Sequence, residues 1–181
     1  MKHKALAVFL AVAVLPTIAL AAKPVPVPTL TPLAWYDVNG KLVGRSTTPP
    51  SNPASPWLVL AWADDFVPLQ LEVPLADTGG VEFAPQGAVH YSLPNCTGTA
   101  YLNEGARPLV GYRRGAAIAA MPDGMILYVT APNAPIVERV IQSSKYSDPC
   151  VNTNGPVTTT VFDVEGSMNL TGLFAAPFYI K

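Results

Sequence analysis

Residues 57–75 read WLVLAWADDFVPLQLEVPL and hold two apolar runs on either side of the acidic pair Asp64-Asp65. Within 69–74, apolar residues occupy every second position and alternate with Gln70, Glu72 and a proline. This period of two is typical of a half-buried strand near the edge of a sheet. Adjacent carboxylates favour a turn in which both meet water. The stretch therefore predicts a strand, a turn and a second strand.

The same alternation of short apolar runs with turn residues continues along the chain. Residues 33–44 place apolar segments on both sides of Asn39-Gly40, a dipeptide suited to a tight hairpin turn. The best helix candidates, AAIAAM at 116–121 and APIVERVIQ at 134–142, are short and bounded by Gly or Pro. We therefore predict an all-β fold, a small antiparallel sandwich or barrel built from hairpins, as one domain over 33–181.

The composition limits the classes of partner. The chain has 181 residues, of which 13% are charged, with 11 Lys+Arg against 12 Asp+Glu. There is no basic excess to hold a phosphate backbone, so we expect no nucleic-acid partner.

The N-terminus has the order of a secretory signal peptide. Lys2 and Lys4 precede the apolar run 5–15, and the small residues Ala19 and Ala21 frame a cleavage site. We predict a signal peptide over 1–21 and export to the periplasm, the cell surface or the extracellular space. An uncleaved anchor is the alternative, because the apolar stretch reaches the lower limit for a membrane span. No later stretch does so, and we expect no transmembrane segment in the mature chain.

A Pro-rich segment follows the predicted cleavage site. Residues 22–32, AKPVPVPTLTP, favour an extended backbone without regular hydrogen bonding. We interpret this segment as a lead into the β domain, with peptide docking as the alternative.

The chain contains two cysteines, Cys96 and Cys150. Export to an oxidising compartment favours a disulfide between them. The alternatives are two buried thiols or a metal site, and the second lacks the four ligands that structural zinc needs.

Two motifs together resemble a known group of proteins. Residues 36–44 read YDVNGKLVG, and 91–102 read YSLPNCTGTAYL. They are similar to a D-x-x-G-x-x-V-G hairpin and a Y-x4-C-x-G-x2-Y element found in a group of uncharacterised exported bacterial proteins. The resemblance implies a β-rich exported domain and assigns no activity.

Residues for catalysis or metal binding are scarce. After signal cleavage the only histidine is His90, which alternates with Val89 and Tyr91 and so belongs on the polar, solvated face of a strand. Asp37 begins a calcium-like loop, but Lys41 stands where an oxygen ligand is required, which favours a plain turn. We therefore assign no catalytic residue, no metal and no cofactor.

The possible binding residues are aromatic and cationic. We expect Trp35 and Trp62 in the core and Trp57, which follows a proline-rich loop, as an exposed ring. Tyr112 precedes Arg113-Arg114, the only adjacent basic pair in the mature chain, and this turn could hold an anionic envelope ligand or a protein partner. Otherwise it is a solvated hairpin tip.

These observations favour a noncatalytic exported domain that binds a ligand or has a structural role. The alternative is an envelope carbohydrate hydrolase or lyase with paired carboxylates, such as Glu72 and Glu82.

Overall fold

The computed structural model describes residues 33–46, 56–74, 79–146 and 149–180. The predicted signal peptide, 1–21, and the whole of the predicted Pro-rich lead, 22–32, lie outside these ranges. The described residues all belong to one compact unit. No helix among them is long and apolar enough to cross a membrane.

Strands dominate the described chain, which confirms the all-β prediction. A single turn of 3-10 helix spans Glu104–Ala106, and one short helix, α1, spans Leu170–Leu173. The strands are β1 Ala34–Tyr36, β2 Leu42–Ser46, β3 Trp57–Trp62, β4 Asp65–Glu72, β5 Glu82–Phe83, β6 Val89–Leu93, β7 Thr97–Asn103, β8 Ala116–Met121, β9 Gly124–Thr130, β10 Ile136–Lys145, β11 Val151–Asn169 and β12 Tyr179–Ile180.

The strands form two antiparallel sheets. The first has the order β12-β1-β2-β3-β4-β5, and the second has the order β10-β6-β7-β11-β9-β8. In the second sheet β10 pairs with β6 and also with β11, so that β10, β6, β7 and β11 close into a ring of pairings. The long strand β11 turns from β10 to β9 and thereby joins this ring to the rest of the sheet.

The hairpin β8-β9 is a wall between two hydrophobic clusters. Ile118, Leu127 and Val129 belong to the cluster that lies against the first sheet. Ala117 and Tyr128, which alternate with them, belong to the cluster that packs against β6, β7 and β11. A strand that is buried on both faces has a continuous apolar sequence. The two helix candidates are strands, in agreement with the all-β prediction: 116–121 is β8, and 136–142 lies in β10.

The disulfide between Cys96 and Cys150 is present, as predicted. Cys96 lies in the turn between β6 and β7, and its N–H donates to the hydroxyl of Ser143 on β10 at 2.9 Å. Cys150 immediately precedes β11. The bridge therefore ties the start of β11 to the β6-β7 turn.

Candidate functional site

A cleft opens between β2 and β3, which diverge after a short paired stretch. Their register pairs Arg45 with Val59 and Ser46 with Leu58 and extends no further. At Gly44 the two backbones are in close contact, since a Cβ atom built there would stand 2.5 Å from the Val59 carbonyl oxygen. Beyond this contact β2 and β3 separate, and a cleft takes the place of a continuous sheet.

The wall of this cleft is largely apolar. The volume of the cleft is about 640 Å³. Leu42 and Phe66 belong to it and are exposed, as is Leu173 on the opposite side. Exposed apolar surface that is concentrated in one concave place marks a binding site more often than isolated exposed residues do.

Two cations border the apolar wall. Lys41 donates from Nζ to the carbonyl oxygen of Leu173 at 2.8 Å and lies 4.7 Å from the ring centroid of Phe174. Arg45 is exposed, and its side chain has no hydrogen-bond or ion-pair partner within the described ranges. Arg45 is thus the cation that remains available to a ligand in the cleft.

Asp37 stabilises one wall of the cleft through hydrogen bonds to the backbone. Its Oδ1 accepts hydrogen bonds from the N–H groups of Asn39 and Lys41 at 2.9 and 2.8 Å, and its Oδ2 accepts one from Ala175 at 3.2 Å. Burial alone raises the pKa of Asp37, but these three N–H donors and the charge of Lys41 bring that pKa below its usual value. The plain turn expected at 37–40 is present, and it also holds the segment after α1 in place.

The predicted recognition residues Tyr112, Arg113 and Arg114 have different surroundings. Tyr112 borders the cleft, and burial raises the pKa of its hydroxyl. The side chain of Arg113 is 58% exposed, with Nη2 3.1 Å from Oδ2 of Asp65. The side chain of Arg114 is only 8% exposed. The solvated-tip alternative therefore describes Arg113 and is wrong for Arg114.

Arg114 connects three strands. Its Nη1 donates to the Thr130 carbonyl oxygen of β9 at 2.9 Å and to the carboxylate of Glu165 on β11. Its Nε lies 3.5 Å from Oδ2 of Asp65 on β4. The hydrogen bonds of Arg114 to described residues all come from Nη1, whereas the buried Nε forms only the ion pair with Asp65 and no hydrogen bond to them. Burial and these two carboxylates make Arg114 part of the packed structure.

Trp57 and Arg114 both border another, smaller pocket of about 250 Å³, together with Gln86, Arg107 and Tyr146. The Trp57 ring, expected to be exposed, is half-buried. Trp35 is buried in the core, as predicted, and Trp62 is half-buried against it.

His90 departs from its expected position in solvent. Its ring is half-buried, with Nδ1 2.6 Å from the hydroxyl of Ser144 on the neighbouring β10. Burial lowers the pKa of His90 because it disfavours the charged imidazolium.

The carboxylate pairs do not line either pocket. Glu72 and Glu82 are direct cross-strand partners on β4 and β5. Asp64 is exposed in the turn, as predicted. Asp65 begins β4 and contacts both Arg113 and Arg114. Within the described residues no group of three or more His, Cys, Asp or Glu side chains is placed to hold a metal ion.

Comparison with protein families, curated proteins and solved structures finds no match to this chain. The functional interpretation therefore depends on the geometry alone. The cleft itself was not predicted, because it depends on the divergence of two strands that pair across a loop. The sequence signal for it is Gly44, a glycine inside an apolar strand, which indicates close approach of another backbone.

Proposed function

We propose that this chain is a noncatalytic, exported binding domain whose cleft takes an amphiphile with an apolar body and an anionic end. The observation that carries the proposal is the apolar cleft of about 640 Å³ with Arg45, an arginine that has no partner among the described residues, at its border. Small-molecule sites have volumes of about 300–1,000 Å³ and combine apolar walls with a few polar groups.

The two ends of the ligand meet different parts of the cleft. The apolar body of the ligand would cover the exposed side chains of Leu42, Phe66 and Leu173. Each Å² of apolar surface removed from water in this way stabilises the complex by about 25 cal/mol. The guanidinium of Arg45 would form a charge-assisted hydrogen bond to a carboxylate or phosphate oxygen. Lys41 contributes less because its ammonium group already binds the Leu173 carbonyl oxygen.

Export to the periplasm, the cell surface or the extracellular space belongs to the same proposal. The disulfide supports it, because disulfides persist in oxidising compartments. Mass spectrometry of the mature protein should find an N-terminus at Ala22, and an intact N-terminus would contradict it. Membership of the group of exported bacterial proteins stays a prediction.

The experiment is calorimetric titration of residues 22–181 with dodecanoate and, separately, with dodecanol. We expect dodecanoate to bind more tightly. Arg45→Gln should weaken dodecanoate binding about tenfold or more and leave dodecanol binding unchanged, since it removes one charged hydrogen bond. Ala61→Trp, which fills the cleft from β3, should abolish both.

Arg139→Gln is the control, because Arg139 is a partly exposed arginine on a strand that lies outside the cleft, paired with Asp163. It should bind dodecanoate as the unmodified protein does. Absence of dodecanoate binding, or equal binding by Ala61→Trp, would reject the proposal.

The carbohydrate hydrolase or lyase stays the alternative, with Glu72 and Glu82 as its pair. The direct pairing of Glu72 with Glu82 across β4 and β5 favours this alternative. It is weakened because neither residue lines the cleft or the smaller pocket that Trp57 borders. Release of reducing sugar from envelope polysaccharide that is lost in Glu72→Gln would establish the enzyme.

A further inference from the structure

Residues 107–113, RPLVGYR, form a loop between the 3-10 turn and β8, here called the apolar loop. The Tyr112 N–H donates to the Leu109 carbonyl oxygen at 2.9 Å, which closes a four-residue turn. Gly111 has a φ of 89°, a left-handed conformation that favours glycine at the third position of such a turn. The geometry places Val110 at the tip, where it is fully exposed, and Leu109 beside it is also exposed.

The base of the apolar loop is held firmly. The Asn133 N–H donates to the Arg113 carbonyl oxygen at 2.6 Å, and the Gly115 N–H donates to Oγ1 of Thr130 at 2.9 Å. A Cβ atom at Gly115 would collide with the carbonyl oxygen of Ala106, so the two ends of the loop lie against each other. The structure thus presents an apolar tip from a fixed base, and the tip does not fold back over the core.

Arginines flank the tip on both sides. The side chains of Arg107 and Arg113 are 63% and 58% exposed. The pair between Arg107 and Glu104 is long, at 3.7 Å, and exposed, so it is weak. Arg107 Nε also donates to the Glu104 carbonyl oxygen at 3.2 Å, which leaves the Nη groups for a phosphate. Arg113 shares Asp65 with Arg114 and keeps most of its donors free. Both side chains can therefore hydrogen-bond to phosphate at the level of a lipid headgroup.

The apolar loop also adjoins the cleft. Tyr112 belongs to the loop and to the cleft wall. Asp65, the partner of Arg113, is followed directly by Phe66, whose exposed ring borders the same cleft. A surface that covers the tip would therefore lie near the cleft and its exposed apolar residues.

We propose that the apolar loop docks the protein on a lipid bilayer that contains anionic lipid, with Leu109 and Val110 entering the interface and Arg107 and Arg113 on phosphates. A bilayer is favoured over a protein partner because the tip is a protruding aliphatic turn, whereas the centres of protein interfaces are rich in aromatic residues. The role that we give to docking, transfer of an amphiphile between the bilayer and the cleft, rests on the proposed function, whereas docking itself does not.

The test is flotation of residues 22–181 with vesicles of phosphatidylcholine alone and of equal parts phosphatidylcholine and phosphatidylglycerol. Two apolar side chains and two arginines predict weak, reversible binding, no tighter than that of one acyl chain at about 10⁴ M⁻¹. We expect binding to the anionic vesicles to exceed binding to the neutral vesicles several-fold. Val110→Asp should reduce binding to the anionic vesicles at least about tenfold.

Val140→Asp is the matched control, since Val140 is an exposed valine on β10, outside the loop and the cleft. It should float like the unmodified protein. The double variant Arg107→Gln, Arg113→Gln should remove the preference for anionic vesicles and keep the weak neutral binding.

Dodecanoate titration of Val110→Asp separates the two proposals, because Val110 does not border the cleft. If Val110→Asp binds dodecanoate normally but no longer floats with anionic vesicles, both the proposed function and membrane docking are supported. Flotation by Val110→Asp equal to that of the unmodified protein, or no flotation with either vesicle, overturns membrane docking. Val110-dependent association of the protein with itself or with another protein, in the absence of vesicle binding, also overturns it.

Discussion

Adjacent arginines with opposite burial allow a paired test of the ion network between the sheets. Arg114→Met removes the hydrogen bonds to the Thr130 carbonyl oxygen and to Glu165 while it keeps the apolar stem of the side chain. It also removes a positive charge 3.5 Å from Asp65, a side chain that is only 15% exposed. Arg113→Met at the next position removes one contact of a guanidinium that is 58% exposed.

The expected losses follow from these contacts. Removal of one partner from a buried ion pair costs about 3–5 kcal/mol when the remaining charge is left buried and unpaired. After Arg114→Met, Asp65 keeps its contact with Arg113 at 3.1 Å, and the side chain of Glu165 is 44% exposed. We therefore expect a loss of about 1.5–3 kcal/mol, which is the contribution of hydrogen bonds to charged groups and lowers the melting temperature of a domain of about 150 residues by several degrees. Arg113→Met should cost no more than about 1 kcal/mol, as exposed pairs do.

Urea unfolding followed by tryptophan fluorescence, with the disulfide intact, measures both free energies. High salt should reduce the Arg113 effect and leave the Arg114 effect, since buried pairs are screened less. Equal losses in the two variants, or a loss below about 1 kcal/mol for Arg114→Met, would refute the assignment of Arg114 as a buried structural charge.

Three further predictions concern stability. Reduction of the disulfide, which closes a loop of sequence separation 54, should lower the free energy of unfolding by about 4 kcal/mol, and an unchanged urea midpoint under reductant would contradict this. Because burial lowers the pKa of His90, the unfolded chain binds more protons below about pH 6.5, so stability should fall as the pH drops through this range until the ring is protonated in the folded chain too. His90→Gln should flatten that part of the pH curve, and parallel curves would disprove the contribution. Gly44→Ala should destabilise by about 1–3 kcal/mol through its contact with Val59, whereas Gly105→Ala, with no atom nearer than 3.4 Å, should be near neutral.

Local patterns predicted local structure. Asn39-Gly40 forms the turn between β1 and β2, and Gly40 has the positive φ of 78° that such a turn uses. The turn predicted at Asp64-Asp65 lies one residue earlier, at Ala63-Asp64, because Trp62 pairs with Asp65 at the end of the β3-β4 hairpin. Asp65 thereby joins a strand and meets the arginines from the loop before β8.

The segment 116–121 shows why alanine content alone does not decide secondary structure. Alanine favours helix on its own, but the run lies in β8, with Ala117 and Ala119 in one hydrophobic cluster and Ile118 in the other. The alanines pack against residues of β6, β7 and β11. This packing depends on strands distant in sequence, and no window of local sequence contains it.

The burial of Arg114 has the same origin. Its acceptors come from β4, β9 and β11, and only the completed sheets bring them to the loop. From sequence, adjacent arginines at a turn are typical of solvated surface, and Arg113 conforms to this. The burial of Arg114 depends on the carboxylates and the carbonyl oxygen that surround it, and these can be identified only when the fold is known.

The D-x-x-G-x-x-V-G stretch acquires a second interpretation once the cleft is known. Asp37 binds the segment after α1, Val43 is buried in the core, and Gly44 permits the contact at which β2 and β3 part. Each of these positions shapes the cleft as well as the hairpin. Arg45 follows directly and is bound by none of these constraints. A chain with the same stretch and another residue at that position should therefore keep the cleft and change the preferred ligand end, which a comparison of dodecanoate and dodecanol binding would measure.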